Sequence, residues 1–280
     1  MKRVGLFCLL FGLIPLLAGA GQSVPVSKHA TIAIIIDDLG DNLSYGLRAV
    51  RLPGEVTCAF LPHTLYARQL AVAAHRRDKE VMLHLPMESE DGQYPGPGTL
   101  SLNMTQSEFI RTFRDDLASI PYVAGVNNHM GSLVTRHPGH MSWLMQEINR
   151  RGDLYFVDSR TTEATVAQRV AQESGVPNLR RNVFLDNDLH PEAIARQFAH
   201  LLKLAKRRGS AVAIGHPHPA TLRFLKNQLP HLSEQGIQLV SISQLIDLKQ
   251  HPEQFYATAP LVMGAAKSVE PSPRPTVVTQ

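Results

Sequence analysis

The sequence predicts an α/β fold in which a parallel sheet closes into a (β/α) barrel. Short β-branched or aliphatic runs alternate with helical patterns along the chain, which implies a mostly parallel sheet with right-handed crossovers. Eight of these runs stop at a cluster of Asp, His, Asn or Ser before the next helix begins. In a parallel barrel, residues just past the carboxyl ends of the strands gather on one rim, where such enzymes place their chemistry. An open doubly wound sheet shares the alternation and is the competing architecture, because periodicity alone does not show closure. No G-x-G-x-x-G or P-loop pattern supports nucleotide binding on either version.

The first run, Thr31 to Ile36, ends at Asp37-Asp38, and Gly40 and Asn42 mark the turn beyond. Val56 to Phe60 precedes His63, Val81 to Leu83 precedes His84, and Val123 to Val126 precedes Asn127-Asn128-His129. Leu154 to Val157 precedes Asp158, and Val183 to Leu185 precedes Asp186. Val212 to Ile214 precedes His216-Pro217-His218, and Leu239 to Val240 precedes Ser241. Among the helices, Thr105-Gln106-Ser107-Glu108 is a capping-box pattern, with Phe109, Ile110, Phe113, Leu117 and Ile120 on one stripe behind it. Pro138 opens a second helix carrying Trp143, Leu144 and Ile148. Pro191 opens a third, with Ile194, Phe198, Leu201, Leu202 and Ala205 inward and Lys206, Arg207 and Arg208 at its end. The longest irregular stretch, between His84 and Thr105, is rich in Pro and Gly. It is expected to cross the rim as a loop that walls a substrate groove.

The ends differ from this pattern. Lys2 and Arg3 precede an apolar run from Val4 to Leu17, with Ala18-Gly19-Ala20 behind it, so residues 1–20 read as a secretory signal peptide and the mature chain starts near Gly21. The rival is an uncleaved anchor, disfavoured by Pro15 and by an apolar run shorter than about 18 residues. No stable membrane span is expected after cleavage. Residues 21–29 read as a short linker, 30–250 as one barrel domain, and 260–280, rich in Pro, Ser, Thr and Val without periodicity, as a disordered tail. Cleavage leaves Cys58 as the sole cysteine, which excludes an intrachain disulfide even in a periplasmic or secreted protein. It also removes Lys2 and Arg3, taking the formal charge from +4 to +2 with 26 basic against 24 acidic residues. The basic residues are dispersed and lack interleaved aromatics, so no nucleic-acid partner is expected.

Two adjacent carboxylates after a buried strand, Asp37-Asp38, are costly unless a cation or hydrogen-bond donors compensate them. A divalent metal does so if one carboxylate coordinates while the other accepts a proton from the attacking water. The alternative is that they cap the next helix or hold a loop. His84 and Glu88 are both competent zinc ligands, but Pro86 between them prevents a regular helix, and a lone His at a strand end is often structural. Asn127-Asn128-His129 reads either as turn chemistry or as a rim His placed to join the same metal. In His216-Pro217-His218-Pro219 the prolines fix the backbone, which suits imidazoles aimed as proton donors; alternatively Pro219 simply starts a helix. Asp158 either orients such a His, binds substrate, or pairs with Arg160, whereas Asp186-Asn187-Asp188 reads best as helix capping. Tyr94 and Tyr122 offer stacking faces for sugar or rim packing.

Together these segments resemble the divergent polysaccharide deacetylases, a YibQ-like group related to NodB-type carbohydrate esterases. The resemblance spans roughly Thr31 to Leu248 and rests on Ile35-Ile36-Asp37-Asp38-Leu39-Gly40, His84-Leu85-Pro86-Met87-Glu88, Asn127-Asn128-His129-Met130-Gly131-Ser132, Asp158-Ser159 and Gly215-His216-Pro217-His218. It implies a distorted (β/α) barrel with a zinc-type site that hydrolyses N-acetyl groups on glycans. By that resemblance Asp37 is the base, Asp38 a metal ligand and His216 the general acid. NodB enzymes take two further ligands from H-x-x-x-H, where this chain has Glu88 in place of the second His, and their R-x-P-aromatic motif is absent around His129. His84 and His129 are therefore expected to complete the metal set. Glu88, a possible substitute ligand, is expected on the substrate side with Asn128, Asp158 and His218.

The leading expectation is a periplasmic metal-dependent hydrolase acting on an acylated amino sugar, with the cell-wall glycan as the expected source. A non-catalytic glycan-binding or envelope-assembly factor on the same fold is the alternative, since a retained pocket with altered ligands need not keep its reaction. Another hydrolase, such as a phosphodiesterase, is the third.

Overall fold

The structure is a computed structural model that describes residues 30–251. The expected signal peptide (1–20), linker (21–29) and tail (260–280) lie outside the described residues. The chain alternates β1 (Ala30–Leu39), α1 (Leu43–Val50), β2 (Thr57–Phe60), α2 (Ala67–His75), β3 (Val81–Met87) and α3 (Gln106–Ser119). Then come β4 (Val123–Met130), α4 (Pro138–Arg151), β5 (Tyr155–Asp158), α5 (Ala167–Glu173), β6 (Asn178–Arg180) and β7 (Val183–Phe184). The last elements are α6 (Pro191–Arg208), β8 (Ser210–Gly215), α7 (Pro219–Gln228), β9 (Ile237–Leu239) and α8 (Ile242–Gln250). The three anticipated helix starts hold: Thr105 and Glu108 form a reciprocal capping box on α3, and Pro138 and Pro191 occupy the first turns of α4 and α6.

The strands pair in parallel in the order β6-β5-β4-β3-β2-β1-β8-β7, with β9 beside β1. The two end strands of this order, β6 and β7, are consecutive in the chain and joined only by Arg181 and Asn182. Arg181 N donates to Asp158 O of β5, and Asn182 N donates to Val212 O of β8, each at 2.9 Å. Two successive residues thus bind opposite margins of the sheet, which has to curl almost shut to allow it. The ring is a distorted barrel closed by a backbone crossing instead of a β6–β7 ladder, and the open doubly wound alternative is excluded.

Several strands differ from the sequence reading, and β1 is among them, running through Asp37-Asp38 to Leu39. The strand β6 was not anticipated; it has three residues, and Asn178 and Arg180 flank its single apolar Leu179. Strands β3 and β4 also continue past their apolar runs in shared register, pairing His84 with Asn127 and Pro86 with His129. His84 and Asn127 to His129 therefore lie within strands. The change from apolar to polar residues marks where the barrel interior turns from packed core into cavity, not where hydrogen bonding ends.

The alternation along β1 separates two cores. Ile32, Ile34 and Ile36 face the helices, packing with residues such as Leu70, Phe113 and Leu225. Ala33 and Ile35 face inward, with Ala59, Met82, Val157, Val212 and Ile214. Ile242, Leu245 and Ile246 of α8 join this interior cluster. Glu80, just before β3, accepts from Ile242 N at 2.9 Å and Ser243 N at 3.1 Å. The helix α8 is thereby fastened at the amino ends of the strands as a floor, leaving the carboxyl rim for chemistry.

Candidate active site

Adjacent strand residues ordinarily point to opposite faces. The pair Asp37-Asp38 escapes this rule because the β1–β2 register shifts between Ile36 and Leu39, and Asp38 adopts φ 55°. Asp tolerates that left-handed geometry better than most residues, and bulges of this kind re-aim side chains beside active sites. Both carboxylates consequently line one cavity of about 630 Å³ at the carboxyl rim, with His84, His129 and His216. A larger surface groove of about 860 Å³ along α2 carries Arg68, Arg76 and Arg77 but no carboxylate or imidazole to act with them beyond the helix itself.

Three donor atoms from three strands converge. Asp38 Oδ1 lies 3.1 Å from His84 Nε2 and 3.0 Å from His129 Nδ1, and the two nitrogens are 3.1 Å apart. Asp38 Oδ1 is buried and makes no hydrogen bond of acceptable geometry. Three donors around one tetrahedral ion at ~2.0–2.1 Å sit roughly 3.3 Å apart, so this spacing and the oxygen–nitrogen donor set fit zinc or a similar divalent ion.

The neighbours fix which nitrogen is free. Asn127 Nδ2 donates to Asp37 Oδ1 at 2.9 Å, which turns the other end of the amide, its oxygen, toward His84 Nδ1, 2.8 Å away. His84 Nδ1 then carries the proton, and Nε2 presents its lone pair to the cluster. Burial pushes the Asp38 carboxyl up, but contacts with His129 and His84 outweigh it and hold the group below the usual carboxylate range. For Asp37 burial prevails over the lowering effects of His84, His216 and Asn127, and its pKa is raised. Burial lowers the His84 imidazole, yet Asp37 and Asp38 raise it overall; the same negative field favours a metal cation.

Across the cavity, His216 is gripped through Asp186. Its backbone N donates to Asp186 Oδ2 at 2.7 Å, its Nδ1 lies 3.0 Å from Oδ1, and Thr221 Oγ1 donates to Oδ2 at 2.8 Å. Nδ1 is therefore the protonated nitrogen bound to Asp186, and Nε2 points toward Asp38 Oδ2, 3.8 Å away. Burial lowers the imidazole, but the Asp186 hydrogen bond and the charges of Asp37, Asp38 and Asp186 carry it up to about 9. Asp186 is thus an orienting carboxylate, not the helix cap expected of it. The spacing held the signal: α6 starts at Pro191, and a cap directly precedes its helix.

The family resemblance is borne out by comparison with known proteins. The family model for divergent polysaccharide deacetylases matches residues 34–246. The chain belongs to the divergent polysaccharide deacetylase family. It is 39% identical over 219 residues to YibQ of Escherichia coli (strain K12), covering 78% of this chain and 68% of that protein. It is 35% identical over 217 residues to a Haemophilus influenzae protein, covering 78% and 77%. Among solved structures, ATU2773 from Agrobacterium tumefaciens C58 superposes with a TM-score of 0.74 at 24% identity, covering 78% of this chain and 89% of that one. Peptidoglycan deacetylase PdaC from Bacillus subtilis superposes at 0.52 and 13% identity, covering 82% and 96%, a likeness of fold.

Within this deacetylase-family site, the other expected residues are placed as follows. Asn128 lines the cavity, but its amide is occupied, accepting from Ser159 N at 2.9 Å and donating to Met130 O at 2.8 Å. Asp158 does not line the cavity: its oxygens accept from Arg160 N, Thr165 Oγ1 and Gln168 N, clasping the loop after β5 onto α5. Glu88 is likewise drawn away, accepting from Leu102 N at 2.9 Å, so it neither joins the ligand cluster nor faces the cavity. His218 stands at the N-cap of α7 beside His216, ring centroids 5.9 Å apart, outside the cavity lining. The Pro/Gly-rich loop does not wall this cavity. Its return at Leu100 hydrogen-bonds to β3, and Pro95 to Pro97 line a smaller cavity with Asp41 and Leu61 to Leu65. Tyr122 stacks on His75 and Tyr94 is exposed, while Phe184 lines the cavity instead. Arg181 has no signal in the sequence, while Asn127, Arg160 and Asp186, which the sequence offers as turn, ion-pair and capping residues, take other places: Asn127 bridges His84 and Asp37, Arg160 lines the cavity and Asp186 holds His216.

Proposed function

We propose that this chain is an exported, metal-dependent hydrolase that removes N-acetyl groups from a glycan, with cell-wall glycan as the expected source and zinc as the expected metal. The observation that carries the reading is the convergence of Asp38 Oδ1, His84 Nε2 and His129 Nδ1 within 3.1 Å of one another, flanked by Asp37 and His216. A divalent metal held by those three residues supplies Lewis acidity to the acyl carbonyl and acidifies the attacking water.

The remaining chemistry belongs to the chain. Asn127 ties down Asp37 Oδ1, leaving Oδ2, 3.6 Å from His84 Nε2, on the cluster side to take the proton of the attacking water. His216, kept protonated near neutrality, delivers a proton from Nε2 to the departing nitrogen as the C–N bond breaks, releasing acetate and a free amine. Among the described residues no helix is long and apolar enough to cross a membrane, and export rests on the reading of residues 1–20.

The test uses the zinc-loaded full chain with N-acetylglucosamine oligomers and cell-wall fragments. Acetate and free amine should appear in equal amounts and disappear in Asp37→Asn and His216→Ala. Oligomers bound without acetate release would move the protein to the non-catalytic glycan-binding alternative, and a phosphoester product in place of acetate to another hydrolase. Mass analysis of the native protein checks export, which an intact Met1 terminus contradicts.

A further inference from the structure

We propose that the substrate carries a fixed oxyanion, a carboxylate or phosphate, which Arg160 and Arg181 recognise while the acyl group occupies the catalytic cluster. This substrate class rests on the deacetylase reading of the same cavity. Both arginines line that cavity, beside the closing crossing of the barrel.

Arg181 is positioned before any ligand arrives. Its Nε donates to Ser159 O at 2.6 Å, its Nη2 donates to Arg160 O at 2.7 Å, and its guanidinium lies 5.0 Å from the Phe184 ring centroid. Three of the five N–H groups a guanidinium carries remain uncommitted. A donor fixed in this way loses little freedom on binding, which favours recognition. Arg160, at φ 52°, makes no side-chain hydrogen bond among the described residues.

Neither guanidinium has a carboxylate oxygen within 4.0 Å among the described residues. The charge on Arg181 is disfavoured by burial and by Arg160, and only partly relieved by the more distant Asp158 and Asp37. On the deacetylase reading, a divalent metal and protonated His216 balance Asp37, Asp38 and Asp186. Of the two carboxylates that act on Arg181, this leaves Asp158, whose oxygens are already committed to Arg160 N, Thr165 and Gln168 N. A surplus of positive charge on the cavity wall is matched by an anion, and the planar guanidinium fork suits carboxylate and phosphate oxygens. A clamp on two carbonyls accounts for part of Arg181 but for none of Arg160.

Equilibrium binding to the zinc-loaded full chain tests this with a cell-wall disaccharide bearing a lactyl carboxylate, its methyl ester, and N-acetylglucosamine 6-phosphate. The acid or the phosphate should bind more tightly than the ester, and the preferred one identifies the oxyanion. Arg160→Gln, which removes no carbonyl clamp, and Arg181→Gln should each weaken that ligand about 10- to 100-fold, the worth of a charge-assisted hydrogen bond, while leaving the ester nearly unchanged. Arg181→Lys should recover part of the loss. Equal binding of acid, phosphate and ester to the wild type overturns the proposal, as does a loss in both variants that is the same for acid and ester. Preferential oxyanion binding without acetate release supports the proposal while rejecting the deacetylase reaction, so the two failures are distinguishable.

Discussion

Replacing Asn127 probes the link between the metal ligands and the proposed base, because its amide touches both His84 Nδ1 and Asp37 Oδ1. In Asn127→Ala the buried His84 N–H loses its acceptor and Asp37 loses its donor. Losing the partner that orients a ligating His typically weakens metal binding about 10- to 100-fold, or ~1.4–2.7 kcal/mol. The unpaired imidazole N–H adds about 1–3 kcal/mol of lost stability. Asn127→Asp separates the two contacts: a carboxylate still accepts from His84 Nδ1, but it places a like charge beside Asp37 and donates nothing to it. Competition with a chromophoric chelator should show zinc affinity reduced in Asn127→Ala and largely kept in Asn127→Asp, with acetate release collapsed in both. Unchanged zinc affinity in Asn127→Ala, with urea unfolding confirming that the variant folds, refutes the assignment of His84 as a ligand oriented by Asn127.

Three further outcomes follow from the geometry. Asp186→Asn removes the main group raising His216; since a raised imidazole is protonated below its folded pKa and loses that proton as pH rises through about 9, the alkaline limb of acetate release should move toward the ordinary histidine range. An unmoved limb counts against His216 as the acid. Burial and Asp115 push the Asp116 carboxyl up to about 8, so the folded state holds that proton more tightly than the unfolded chain, and stability is lost as pH rises from the ordinary carboxylate range through about 8. Asp116→Asn should therefore gain on the wild type by up to about 1.4 kcal/mol per pH unit across that window, and a pH-independent difference in urea unfolding refutes it. A Cβ on Gly125 would stand 2.1 Å from the Tyr155 ring, so Gly125→Ala should destabilise by about 1–3 kcal/mol, whereas wild-type stability would show that the ring moves aside freely.

Most of the fold was legible because burial writes itself into sequence. The apolar runs of β1, β4 and β8 and the capping box of α3 announce elements whose stability comes from the residues that form them. Strand β6 left no such trace, since it is held by pairing with β5 and not by its own composition. The polar continuation of β3 and β4 carries no strand signal in the sequence, because a strand facing a cavity lacks the apolar pattern of one facing a core. At the site, Asp37, Asp38, His84, His129 and His216 were nameable as chemistry-bearing residues at strand ends. Whether a side chain near the rim faces inward depends on bonds made elsewhere, and this separated the remaining candidates. Glu88 and Asp158 are drawn off by main-chain N–H groups, while Asp186 is turned inward by Thr221 and His216.

Two groups of residues in the described chain are spaced to hold a metal: Asp38 with His84 and His129, and Asp186 with His216 and His218. Only the first leaves His216 free to act as a proton donor. Anomalous diffraction at the zinc edge on crystals of the zinc-loaded full chain discriminates between them. The account predicts one peak bounded by Asp38, His84 and His129, absent in crystals of His129→Ala, and no peak at the second group. A peak bounded by Asp186, His216 and His218, or no ordered zinc at either group, contradicts it.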